Sequence, residues 1–131
     1  VVAQAVSLIK DKGEVDLLHC WELPGVTVNY WGATDYGLGD SILKGAEELG
    51  EKWTKRFGTA DVAVSFSAQR GDPRREIEDR TEKTKYDLVV MGSHHRKGLQ
   101  RFLLGSVAET TLRHLKTSVY ITKPAEKNNQ E

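Results

Sequence analysis

Apolar positions along the chain change period several times, and each change marks an element. Val2, Ala5, Val6 and Ile9 recur at helical spacing, and Gly13 follows as a stop. Val15, Leu17, Leu18 and Cys20 make residues 15–21 a short strand. Between residues 22 and 40 the pattern lapses. Pro24, Gly25, Gly32, Gly37 and Gly39 mark a long loop, which also carries Tyr30, Trp31 and Tyr36. Helical spacing returns over residues 41–57, where Ile42, Ala46, Leu49, Trp53 and Phe57 form a stripe. Asp40 or Ser41 can cap this helix and Gly58 ends it. Residues 61–68 alternate Val62, Val64 and Phe66 with Ala63, Ser65 and Ser67, the period of a strand. Gly71-Asp72-Pro73 signals a helix start, with Asp72 as cap, and the helix runs to about Lys85. Ile77 is its one large aliphatic residue, so most of its surface is expected to face water. Leu88-Val89-Val90-Met91 is an apolar run suited to a strand covered on both faces. A polar, basic loop follows over residues 92–104. Gly105 then opens a helix bearing Val107, Ala108, Thr111, Leu112 and Leu115. Ser118–Thr122 is the last strand, and residues 124–131 form a polar tail.

Helices and strands alternate throughout. The order predicts an α/β protein with an open, doubly wound parallel sheet and helices on both faces, in one domain over residues 1–123. Such folds ordinarily begin with a central strand, whereas this chain begins with a helix. A strand is therefore expected ahead of Val1, within roughly 20 preceding residues.

Composition narrows the function. Lys and Arg number 19 and Asp and Glu number 19, so electrostatic gripping of nucleic acid is not expected. Cys20 is the single cysteine, which excludes an internal disulfide and suits a reducing, cytoplasmic setting. No apolar run is long enough for a membrane span, and a secretory signal is not expected.

Residues 88–107, LVVMGSHHRKGLQRFLLGSV, carry the chemistry. Gly92 lets the backbone turn sharply after the strand and approach a ligand closely. Gly105-Ser106 opens the next helix, whose first N–H groups have no helical partner and attract anions. From Gly92 to Lys123 the cations are Arg96, Lys97, Arg101, Arg113, Lys116 and Lys123, against Glu109 alone, so the local field favours a polyanion. Both glycines also suit ordinary turns. No nucleophile elbow, P-loop or G-x-G-x-x-G after a strand is present, and Ser93 and Ser106 lack a base in sequence, so a turnover enzyme is not expected. The histidines His19, His94, His95 and His114 show no metal-ligand spacing; His19 reads as a buried strand residue and His94 and His95 as loop residues facing solvent.

The run MGSHHRKGLQRFLLGSVAETTLRH, followed by SVYIT, resembles the C-terminal signature of the universal stress protein family. Nucleotide-binding members carry Gly, two residues, Gly, nine residues, then Gly-Ser or Gly-Thr. Gly92 and Gly105-Ser106 match at that spacing, and His95 stands at the second glycine. Asp87-Leu88-Val89-Val90, Gly71-Asp72-Pro73 and Leu17-Leu18-His19 extend the likeness backwards. The resemblance implies a five-stranded parallel sheet that binds ATP and a homodimer formed through the last strand. It implies that Met91, Gly92 and His95 line ribose and phosphates, that Gly105, Ser106 and Val107 hold phosphates, and that the backbone of Cys20 touches the base. Whether a metal accompanies the nucleotide is left open. His95 either fills the phosphate space or, protonated, donates to a phosphate. One alternative is a dimeric interaction module of the same fold that has lost nucleotide binding. A second is a nucleotidyl-transfer or electron-transfer relative. The aromatic loop reads as a satellite core, a lid or a partner surface.

Overall fold

The computed structural model describes residues 1–22, 38–93 and 104–123. Its elements run α1 (Val2–Ser7), β1 (Gly13–Trp21), α2 (Leu38–Phe57), β2 (Val62–Arg70), α3 (Pro73–Lys83), β3 (Leu88–Gly92), α4 (Ser106–His114) and β4 (Ser118–Thr122). They gather into two compact units, one of Val2–Glu76 and one of Val1 with Ile77–Glu131. Among the described residues the four strands form two parallel pairs, β1 with β2 and β3 with β4.

In the first unit the ladder runs in register from Gly13 opposite Val62 to Trp21 opposite Arg70. One further hydrogen bond at each end extends it: Gly13 N donates to Asp61 O at 3.0 Å and Gly71 N to Trp21 O at 3.0 Å. Helices α1 and α2 pack on these strands. The contact of α2 with β2 depends on Gly50, because a Cβ there would fall inside the Phe66 ring. Ile9 covers Gly13 in the same way, with its Cγ2 2.9 Å from where a Cβ would sit. Ala46 and Val62 are buried between helix and strand.

Both strands outrun the apolar runs that predicted them, because backbone pairing tolerates the polar Glu14, Gln69 and Arg70 at exposed positions. Helix α2 starts at Leu38, inside the expected loop, which places Gly39 and Asp40 in its first turn. Asp40 is thus a first-turn acid next to the positive helix end and not the cap. His19, expected to be buried, is exposed on β1. Leu49 lies at the edge of the α2 stripe and is also exposed.

In the second unit Leu88 pairs with Ser118 and Gly92 with Thr122. Helix α4 packs on β4. Its covered face carries small residues, Ala108 and Thr111, which allow close approach. Leu112, one step round the helix from Thr111, is exposed. No helix among the described residues is long and apolar enough to cross a membrane.

Candidate functional site

Topology brings the two halves of the glycine motif to one end of the second unit. Strands β3 and β4 are parallel, and three residues join α4 to β4. Helix α4 must therefore run back along β4. Its nine residues rise about 13.5 Å, and the five residues of β4 span about 16.5 Å. The N-terminus of α4 consequently lies at the carboxyl end of the strand pair, where β3 ends in Met91 and Gly92. Crevices outside the carboxyl ends of parallel strands are where such sheets take their ligands.

The chain leaving β3 is anchored at this end. Ser93 N donates to Thr122 O at 2.9 Å, and Ser93 Oγ donates to the same carbonyl at 3.3 Å. This pairing carries the β3–β4 contact one residue past Gly92. Beside Gly92, Val1 Cγ2 lies 3.3 Å from where a Cβ would stand, so the glycine backbone already has a close neighbour.

Among the described residues no side chain closes the mouth of α4. Its N-cap is Gly105, in extended backbone at φ −62 and ψ 151, and no side chain caps the helix. The Gly105 carbonyl accepts Glu109 N at 2.9 Å, so the helix is properly started while the N–H groups of its first turn lack a side-chain acceptor. Helix α3 shows the opposite arrangement. Asp72 Oδ1 accepts Arg74 N at 3.0 Å, and the Arg74 guanidinium grips the same carboxylate, Nε at 2.9 Å and Nη2 at 2.8 Å. The side-chain bond from Arg74, with its backbone N–H next, holds the Asp72 carboxyl below its ordinary 3.8. Folding lowers this pKa, so the cap stabilises the protein above the ordinary carboxyl value and fades as pH falls through the lowered one. One helix mouth is filled by the chain's own anion. At the other, no side-chain acceptor stands among the described residues.

Met91 and Gly92 close β3, and Gly105, Ser106 and Val107 open α4, so five of the expected site residues share one end of one unit. Cys20 is half-buried and next to last on β1, in the other unit. His95 and the aromatic loop residues Tyr30, Trp31 and Tyr36 lie outside the described residues, as do residues 124–131. Among the described residues no cluster of His, Cys, Asp and Glu could hold a metal. A cleft of about 410 Å³ between α2 and β2, floored by Val64 and Phe66, contains none of the motif. The anchoring by Ser93 escaped the sequence reading, which weighed that serine only as a nucleophile. Its position directly after the strand glycine was the available signal.

Comparison with known proteins agrees with the motif. The chain matches the family model described as Universal stress protein family over residues 1–123. It belongs to the universal stress protein family. Universal stress protein MJ0531 of Methanocaldococcus jannaschii is 35% identical over 89 residues, covering 68% of this chain and 48% of that protein. Universal stress protein Rv2623 of Mycobacterium tuberculosis is 34% identical over 114 residues, covering 83% of this chain and 36% of that one. The chain thus spans less than half the length of these curated relatives. The solved structure of hypothetical protein MJ0577 superposes with a TM-score of 0.80 at 24% identity, covering 95% of this chain and 86% of that one. That superposition carries the α/β, Rossmann-like fold of universal stress proteins to this chain.

Proposed function

We propose that this universal stress protein binds an adenine nucleotide, ATP, and serves as a cytoplasmic regulatory module in stress response. The observation that carries the reading is the uncapped mouth of α4 at the carboxyl end of β3, with glycines on both sides of it. Met91 and Gly92 would meet ribose and phosphate, and the N–H groups of Ser106 and Val107 with the Ser106 hydroxyl would donate to the phosphate tail. Cys20 keeps its place in this proposal as a backbone contact to the base, and His95 as a phosphate neighbour. The role proposed is binding rather than turnover. Homodimerisation through β4 belongs to the same proposal. Tyr120 stands 45% exposed on a short strand whose outer edge pairs with nothing among the described residues. Such an edge is normally covered or paired.

Thermal denaturation with and without ATP tests the reading, with and without magnesium. A ligand selective for the folded state at a hundred times its Kd stabilises by about 2.7 kcal/mol, a readily measured rise in Tm. An unchanged Tm in both His95→Gly and the parent chain would remove the nucleotide and favour the interaction module.

A further inference from the structure

A triphosphate carries several negative charges, and a helix mouth supplies about half a positive one. Of the residues proposed to hold it, the described ones, Met91, Gly92, Gly105, Ser106 and Val107, include no cationic side chain, and His95 lies outside the described residues. Among the described residues from Gly92 onward the cations are Arg113, Lys116 and Lys123. Arg113 sits in the last turn of α4 and is bonded to Glu109 at 2.9 Å. Lys116 lies in the turn between α4 and β4, at the opposite end from the α4 mouth. Lys123 follows the last residue of β4, at the carboxyl end of the strand pair. It is exposed and makes no ion pair among the described residues. It is also held close to the motif, because the carbonyl of the preceding Thr122 accepts both Ser93 hydrogen bonds. Neighbouring strands lie about 4.8 Å apart, so the start of Lys123 is one strand spacing from the chain that leaves Gly92.

We infer that Lys123 is a cation of this phosphate site, a point charge that reaches the phosphate tail from the end of β4. The inference rests on the nucleotide reading above and adds to it a specificity for charge. A strongly hydrated ammonium on a flexible stem suits a mobile polyphosphate, and a charge-assisted bond to phosphate is stronger than a neutral one.

The test compares ATP with adenosine, which lacks the phosphates, by calorimetric titration of the parent chain, Lys123→Met and Lys123→Arg. Lys123→Met is expected to weaken ATP roughly tenfold, to leave adenosine unchanged, and to flatten the salt dependence of ATP binding. Lys123→Arg is expected to keep most of the ATP affinity. Equal ATP affinity in the parent chain and Lys123→Met overturns the inference alone, as does an equal loss for ATP and adenosine. A parent chain that binds no ATP overturns the nucleotide reading and this inference with it.

Discussion

Two glycines in α2 show how differently one residue type acts in one helix. At Gly50 a Cβ would enter the Phe66 ring, whereas at Gly45 it would meet nothing within 4 Å. Gly50→Ala should therefore destabilise the fold by about 1–3 kcal/mol through overpacking. Gly45→Ala should stabilise it by about 0.5–1 kcal/mol through helix propensity. Urea denaturation of both variants measures the contrast, and equal effects would show that Phe66 yields freely. A stripe drawn at helical spacing cannot supply this distinction. Gly50 borders the stripe of Ala46 and Trp53 in sequence, but which ring lies on it depends on β2. His19 illustrates the same limit: a neutral histidine within an apolar run reads as buried, and only the packing of the neighbouring elements left it exposed.

At the scale of elements, the two helix mouths define complementary states of one device. Asp72 closes α3, and among the described residues nothing closes α4. Gly105→Asp should transplant the closure, since Gly105 has an extended backbone that any residue adopts. Without nucleotide, an added cap is expected to raise stability by about 0.5–2 kcal/mol. The ATP-dependent rise in Tm should disappear, because a carboxylate would occupy the phosphate position. Calorimetry with and without ATP reads both signs, and a retained ATP response would place the phosphates elsewhere. The elements themselves were largely legible in sequence. The run at residues 88–91 and the Asp72-Pro73 start needed no tertiary information, because each encodes its local cause. The start of α2 at Leu38 was not legible, since Gly39 and Asp40 carry the turn signals of the preceding loop. Leu112 was assigned to the packed face of α4, yet small Ala108 and Thr111 bring the helix close and leave Leu112 to one side.

For the whole molecule, neutrality in total coexists with a basic stretch from Gly92 to Lys123, so net charge alone says little about what the chain binds. The strand-end glycine and the helix start at Ser106 were readable because both are backbone features written directly into residue type. The Ser93 anchor and the exposed end of Lys123 required the β3–β4 register. The proposed dimer has its own test at this scale. Light scattering should give twice the chain mass for the parent protein and a monomer for Tyr120→Lys, since a charge placed on an edge strand opposes edge-to-edge pairing. An unchanged mass in the variant would move the interface away from β4. Finally, α2 holds Gly39, Gly45 and Gly50 along its 20 residues, and in a helix interior glycine has an intrinsic propensity about 1 kcal/mol poorer than alanine, apart from any packing. Such a helix borrows its order from the strand beneath it. Peel β2 away and α2 should dissolve with it, so this half of the chain has no partly folded form in which the helix outlives the sheet.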